Sequence, residues 1–377
     1  MSEAGPPDGF GDGTAVYQDP MTPALTAASA RRLRAAAQLL LGERERDPVR
    51  VLDRILTVQA QDATAAALGL RARAADARLS DVARAVGTDR TVVRGWFLRG
   101  TLHLVPAADV RWLLALLGPV FLAASRRRCA ELGLDEPLLS RADALVSDAV
   151  AERPRTRAEL AGLLTAAGVP AAGQAAFHLI RRNALAGRIC QGPVRDGEPA
   201  YVALDDWVPG PGPGWDREEA AARLAGRYLA AHAPASLADF VHWSGLPAAV
   251  ARAAWRTLDT VEVTVDGKPY ALPAERADEI AAAGRAGGPG DVRLLPAYDD
   301  YLVGWRDRTL AVPPGRERAV WPGGGQIRPA VVVDGRVVGT WWRTGGEVGT
   351  TFFEPPSEPV GEAVGTEAAD VARFLAE

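Results

Sequence analysis

Two glutamines separated by one small residue, Gln59 and Gln61, are the side chains whose type and spacing could do chemistry together. Neither amide titrates, so the pair cannot serve as a general acid or base in the usual sense. An amide can still donate to and accept from a bound water, which suffices when the leaving group is already good. Two glutamines at a helix end are also ordinary surface chemistry, so the rest of the chain must decide between these interpretations.

The spacing of the pair restricts its backbone conformation. Residues i and i+2 of an α-helix do not face each other, so both amides can reach one water only if the chain leaves helical geometry near Gln59. Asp62 follows directly, and a carboxylate there can accept hydrogen bonds from backbone amides at such a break. The functional alternative for Asp62 is to assist the water.

A second polar segment spans residues 98–105. His103 lies between two leucines in a β-like run, so alternation points its ring away from them. It is a candidate for an assisting role or for a phosphate or sugar contact, and the alternative is a satisfied structural histidine. Arg99, which precedes a glycine, and Thr101 are candidate phosphate ligands.

Arginine supplies nearly all of the positive charge, since Lys268 is the only lysine. A guanidinium can hold a phosphate through two hydrogen bonds, which makes Arg181, Arg182 and Arg188 further candidate phosphate ligands. The net charge of −4 does not by itself indicate nucleic-acid binding. A solvated helix face is therefore the alternative for each arginine cluster.

Length and composition predict a cytoplasmic protein of several units. At 377 residues, 48% of them hydrophobic, the chain can build two to four compact units. We find no apolar run of about 18 residues and no apolar leader, so we expect no membrane span and no secretion. Cys129 and Cys190 lie far apart, and the four histidines lack metal-ligand spacing, so we expect no disulfide, metal or cofactor.

The first unit is predicted over residues 26–118, after an N-terminal arm, residues 1–25, that we expect to be disordered. Its pattern indicates helices over residues 31–41, 47–59 and 81–86, the last capped by Ser80, and then a β-like run over residues 91–105. Three helices followed by a β-hairpin is the element order of a winged helix.

The same order recurs over residues 139–208 and 216–273. Each repeat carries a capping box, Thr156 with Glu159 and Ser236 with Asp239. Each closes with a strand pair around an Asp-Gly turn at residues 196–197 or 266–267. Three tandem winged helices are the interpretation that we favour, and a generic α+β array is the alternative.

The sequence pattern changes from helical to β-rich after a predicted linker over residues 279–290. Residues 290–377 are predicted to form a β-rich element with a hairpin at residues 331–338 and a closing helix at residues 366–377. Aromatic residues supply bulk for its core: Trp341, Trp342, Phe352 and Phe353. An ion pair of Asp299 with Arg308 is a candidate tie between this element and the first unit.

Three segments carry a family resemblance: Gln59-Ala60-Gln61-Asp62, Leu98 to Val105, and Leu295 to Arg308. In this order they resemble the winged-helix DNA glycosylase family of AlkZ and YcaQ, over roughly residues 27–375. The resemblance implies an α+β fold with three tandem winged-helix units in a C-shaped arrangement and a β-rich C-terminal element. It also implies that Gln59 and Gln61 are the catalytic pair. Glutamine at the second position, where the YcaQ branch has aspartate, places the chain in the AlkZ-like branch.

The activity that the resemblance implies is excision of N7-alkylated purines, including bulky adducts and interstrand crosslinks, from double-stranded DNA. Members of this branch often protect antibiotic producers from their own DNA alkylators. We therefore expect a monofunctional, monomeric glycosylase that uses no cofactor. A non-catalytic winged-helix transcriptional regulator is the alternative, because the fold does not fix the function.

Overall fold

The computed structural model describes residues 22–195, 197–283 and 291–376, and these form the predicted α+β fold. The first part of the described chain contains these strands and helices: β1 (Ala24–Leu25), α1 (Ala27–Ala37), α2 (Pro48–Ile55), β2 (Val58–Gln59), α3 (Ala63–Arg71), α4 (Leu79–Gly87), β3 (Val92–Trp96), β4 (Leu102–Pro106) and α5 (Val110–Glu131).

A second and a third stretch follow this first one, each with three helices, a strand pair and a short closing helix. The second stretch contains α6 (Glu136–Glu152), α7 (Arg157–Ala166), α8 (Gln174–Leu185), β5 (Ile189–Arg195), β6 (Glu198–Ala203) and the short α9 (Leu204–Trp207). The third stretch contains α10 (Arg217–His232), α11 (Leu237–Ser244), α12 (Ala248–Trp255), β7 (Thr260–Val265), β8 (Lys268–Pro273) and α13 (Asp278–Ala283).

The C-terminal element contains β9 (Val292–Leu295), α14 (Asp300–Val303), α15 (Glu317–Val320), β10 (Ala330–Val333), β11 (Arg336–Thr344), β12 (Glu347–Phe352) and α16 (Glu358–Ala376). Its strands form one antiparallel sheet in the order β12-β11-β10-β9. The closing helix is longer than the predicted residues 366–377. The predicted linker at residues 279–290 is helical up to Ala283, and residues 284–290 lie outside the described residues.

The capping boxes form as predicted, and they fix where α7 and α11 begin. Thr156 Oγ1 accepts from Glu159 N at 3.2 Å, and Glu159 Oε2 accepts from Thr156 N at 2.7 Å. Ser236 and Asp239 make the same reciprocal pair at the start of α11. Each box satisfies two backbone groups that a helix end leaves open, so these starts are encoded locally.

Three predicted helices of the first unit have other boundaries. The helix predicted over residues 31–41 spans Ala27–Ala37. The helix predicted over residues 47–59 ends at Ile55, because Leu56 takes a positive φ of 69° that no α-helix continues through. The helix predicted over residues 81–86 begins at Leu79, and Asp81 bonds the backbone of Arg78, so Ser80 is not its cap. Helix α3 was not predicted from the sequence.

Strand pairing joins the units. A five-stranded sheet has the order β2-β4-β3-β5-β6, so the first and second stretches share it through the β3–β5 contact. A three-stranded sheet has the order β1-β7-β8, in which Ala24 lies opposite Thr264. The last residues of the predicted arm are therefore ordered, while residues 1–21 lie outside the described residues. The division into winged-helix units stays a prediction.

Helix α5 corrects the expectation about apolar segments. With the turn before it (Ala107–Glu131) it is long and apolar enough by composition to cross a membrane, at a mean hydropathy of 1.6. In this fold, however, it packs against α8 and α10 and buries Trp112, Leu113 and Leu117. We conclude that α5 is a core helix.

Alternation along β11 separates the two tryptophans that were both predicted for the C-terminal core. Trp341 is buried, and its indole Nε1 donates to Leu295 O at 2.7 Å. Trp342 is 47% exposed, because successive residues of a strand point to opposite faces of the sheet. The core prediction is therefore right for Trp341 and wrong for Trp342.

Candidate active site

The glutamine pair lies at the edge of the five-stranded sheet. Gln59 is half-buried on β2 opposite His103 of β4, and the pairing continues one step further, with Ala60 N donating to Leu102 O at 2.7 Å. The chain has thus left helical geometry at Gln59, as predicted. Gln61 is exposed, and its Oε1 accepts a hydrogen bond from Gln59 Nε2. The two amides therefore meet at a surface open to solvent.

Asp62 caps the helix that follows the pair. Its Oδ1 accepts from Ala65 N at 3.0 Å, at the start of α3. This is the backbone contact that the sequence analysis expected at the break. It fixes the direction in which the chain leaves Gln61, whereas direct assistance to a water by Asp62 stays a prediction.

Arg94 holds the backbone of the pair. From β3 its Nε and Nη2 donate to Ala60 O at 2.8 and 2.6 Å, and Nη2 also lies 3.2 Å from Gln61 O. Its Nη1 donates to Gln191 Oε1 at 3.0 Å. This role of Arg94 was not predicted, because no local pattern shows which carbonyl groups a strand arginine will reach.

Arg99 contacts the pair through its side chain. It lies in the turn between β3 and β4, residues 97–101, and its Nη2 donates to Gln59 Oε1 at 2.9 Å. Its Nη1 donates to Trp243 O of α11 at 2.6 Å. Thr101 Oγ1 closes the same turn by donating to Leu98 O at 3.1 Å. The two candidate phosphate ligands of this turn, Arg99 and Thr101, therefore both form hydrogen bonds within the protein.

His103 is buried and neutral. Its Nδ1 lies 3.0 Å from Thr101 O, and because a carbonyl only accepts, Nδ1 carries the ring proton. Burial, followed by the nearby charge of Arg99, lowers the pKa of His103 to about 3. The ring cannot act as a general acid at neutral pH, and the geometry favours the structural histidine over an assisting role.

The candidate phosphate ligands of the second stretch divide into two groups. Arg181 on α8 reaches the 97–101 turn, with its Nη2 3.2 Å from Gly100 O. Arg182 and Arg188 instead lie around the carboxylate of Asp143 on α6, at 3.1 and 3.3 Å. The structure thus brings only Arg181 close to the turn that carries Arg99, and DNA contact by any of the three stays a prediction.

Positive charge is concentrated around this turn. Burial lowers the pKa of His242 on α11, and the nearby charge of Arg99 lowers it further. Burial also lowers the pKa of His178 on α8, with Arg181 and Arg128 adding to the effect. Arg99 and Arg181 both lie at this turn, where they donate to Gln59 Oε1 and Gly100 O. Two guanidinium groups at this turn can attract an anionic ligand, although the net charge of the chain is −4.

Metal ligands are not grouped in the part of the chain that the structure describes. Within it, no three His, Cys, Asp or Glu side chains are placed to hold a metal ion, and Cys129 and Cys190 are both buried and unpaired. The side chains that the structure does bring together at this site are the two amides and Arg99.

Comparison with known proteins matches most of the chain. The model of the family described as DNA glycosylase AlkZ-like matches residues 52–374. An interstrand DNA cross-link repair glycosylase from Streptomyces sahachiroi is 31% identical over 351 residues, which cover 86% of this chain and 89% of that protein. The solved structure of the Streptomyces sahachiroi DNA glycosylase AlkZ superimposes with a TM-score of 0.80 at 26% identity, covering 93% of this chain and 97% of that one.

Proposed function

Because the chain belongs to the AlkZ-like DNA glycosylase family, we propose that it releases N7-alkylated, cationic purines from double-stranded DNA by hydrolysis. We include bulky adducts and interstrand crosslinks among its substrates, since the relative from Streptomyces sahachiroi is named for crosslink repair. Gln59 and Gln61 are the proposed catalytic pair. The observation that carries the proposal is their mutual hydrogen bond at an exposed sheet edge, with Arg99 bound to Gln59.

The chemistry suits two neutral amides. An N7-alkylguanine carries a positive charge, which weakens its N-glycosidic bond. When water attacks C1′, the bond to the purine breaks and its electron pair neutralises the base, while the proton of the water passes to solvent. The protein has only to hold the water beneath C1′ and to support an oxocarbenium-like transition state with fixed dipoles.

Selectivity follows from the same argument. Amides cannot deprotonate water strongly, so an ordinary guanine, which is a poor leaving group, is spared. The reactivity of the leaving base then discriminates alkylated from ordinary purines more than the shape of a closed pocket would. The exposed position of Gln61 is compatible with adducts too bulky for an enclosed site.

Binding of the DNA backbone is the task that we assign to the surrounding arginines. Arg181, Arg182 and Arg188 keep part of their side chains in solvent, and Thr101 is half-buried on the turn that Arg181 contacts. The order of three helices and a strand pair in the second and third stretches supports the interpretation as tandem winged helices, a fold that presents helices and a hairpin to a duplex. We propose that the protein acts as a cytoplasmic monomer and protects its producer from a DNA-alkylating natural product. Family membership does not favour the alternative of a transcriptional regulator.

Alkylated plasmid separates the two functions. We expect the protein to leave alkali-labile abasic sites in a plasmid treated with a methylating agent, and none above background in untreated plasmid. A regulator would bind both plasmids and leave both resistant to alkali. The assay scores nicking after mild alkali, and an unchanged nicking level on the methylated plasmid would overturn the proposed function.

A further inference from the structure

We infer that Arg99 is a positioning residue that sets the orientation of both catalytic amides and ties them to α11. The inference rests on the proposed function, because it concerns how the glutamine pair is prepared for catalysis. Arg99 was a candidate phosphate ligand in the sequence analysis, and the geometry points to a different role.

The chemistry of the contacts leaves one arrangement of the amides. A guanidinium only donates, so Gln59 must turn its Oε1 towards Arg99 Nη2, 2.9 Å away. The Nε2 of Gln59 then faces Gln61, which must present its own Oε1 to accept. Without Arg99, nothing in these contacts prevents both amides from turning over together. Arg99 therefore decides which lone pairs and which N–H groups the pair shows to a water.

The backbone of Arg99 supports a specialised role. Its φ of 54° and ψ of 12° lie in the left-handed region, which residues with a Cβ avoid, and Gly100 follows with a φ of 65°. Non-glycine residues persist there when the surrounding structure holds them, and they occur often at functional sites. The unfavourable backbone conformation of Arg99 thus accompanies a guanidinium that is placed beside Gln59.

Two neighbouring elements hold the 97–101 turn in place. A Cβ on Gly245, at the end of α11, would lie 3.1 Å from Arg99 Cα, so the glycine lets α11 pack closely against the turn. On the other side a Cβ on Gly100 would lie 2.2 Å from Arg181 Nη2. The second donor of Arg99 binds Trp243 O of α11 at 2.6 Å. The orientation of the amides is thereby linked to the packing of α11 against the first unit.

The test separates positioning from phosphate binding. We expect Arg99→Met to slow single-turnover release of N7-methylguanine from a duplex about 10-fold, an effect of about 1.4 kcal/mol. The double variant Gln59→Ala/Arg99→Met should be no slower than Gln59→Ala alone, because Arg99 acts through Gln59. Affinity for a lesion-free duplex should keep its dependence on salt. A phosphate ligand would instead reduce the slope of log K against log salt concentration by about 0.9.

Two further variants control for the loss of an arginine charge and for misfolding. Arg84→Met removes an exposed arginine that pairs with Asp81, and it should leave both the rate and the salt slope unchanged. If thermal melting shows that Arg99→Met does not fold, Arg99→Lys takes its place, because a lysine keeps the charge but can serve only one of the two acceptors well. Multiplicative rate losses in the double variant, or a reduced salt slope, would overturn the inference.

One further readout separates this inference from the proposed function. In protein labelled with ¹⁵N-glutamine, the side-chain amide of Gln59 should exchange with solvent more slowly in the wild type than in the Arg99 variant. A wild type that shows this protection but releases no base would refute the proposed function and leave the positioning role supported. Equal exchange in both proteins would count against Arg99 as the positioning residue.

Discussion

Replacing Gln59 or Gln61 with alanine is expected to slow release of N7-alkylguanine from duplex DNA roughly 10-fold or more. Losing a hydrogen bond that positions the attacking water costs on the order of 1.4 kcal/mol in the transition state. The two amides are hydrogen-bonded to each other, so each substitution also frees the remaining amide to turn. The measurement is the single-turnover rate with enzyme in excess over a duplex that carries one lesion.

Folding should survive both substitutions, since Gln61 is exposed and Gln59 is only half-buried. Gln326→Ala is a matched control, because it removes an exposed glutamine from a turn of the C-terminal element. We expect the control to keep the wild-type rate and all three variants to melt near the wild-type temperature. Wild-type rates in folded Gln59→Ala and Gln61→Ala proteins would remove these residues from the mechanism.

Asp299→Ala is expected to destabilise the fold by about 3–5 kcal/mol, because it leaves a buried guanidinium without its counter-charge. Arg73 donates to both carboxylate oxygens of Asp299 at 2.8 Å, and both side chains are 0% exposed. Gln38 accepts two further hydrogen bonds from Arg73 at 2.9 Å, through its backbone O and its Oε1. The guanidinium is therefore surrounded by protein acceptors and not by water. This pair ties the C-terminal element to the residues that follow α3, the helix that begins beside the catalytic glutamines.

Asp205→Ala makes the same substitution in an exposed pair with Arg111, where the carboxylate side chain is 84% exposed. Surface pairs contribute little, so this control should leave the free energy of unfolding nearly unchanged. Urea titration followed by circular dichroism compares the two variants. If Asp299→Ala unfolds at the same urea concentration as Asp205→Ala, the buried pair does not carry the stability that we assign to it.

Local signals were sufficient for the features that neighbouring residues determine. The capping boxes at Thr156 and Ser236 form as expected, and the chain leaves helical geometry at Gln59, as the i, i+2 spacing required. The Asp266-Gly267 turn has the two positive φ angles, 49° and 74°, of a tight hairpin. Asp196 of the equivalent turn lies outside the described residues.

The contacts that the sequence did not reveal join residues far apart in the chain. Arg99 reaches a carbonyl 144 residues away, and Arg73 reaches Asp299 across 226 residues. Asp299 was expected to pair with Arg308, which instead stacks over Trp321 at 4.5 Å. A sequence shows which side chains can form ion pairs, but tertiary packing decides which of them meet. The sequence therefore predicted that Asp299 forms an ion pair, but not that its partner is Arg73.

The central claim is that two neutral amides, with a positioned water, suffice because the leaving base is cationic. Single-turnover excision on matched duplexes that carry either N7-methylguanine or O6-methylguanine tests it most directly. We predict release of the cationic N7 adduct and no detectable release of the neutral O6 adduct under the same conditions. Equal rates on the two duplexes would mean that base protonation or a specific recognition pocket carries the catalysis, and they would contradict the mechanism proposed for Gln59 and Gln61.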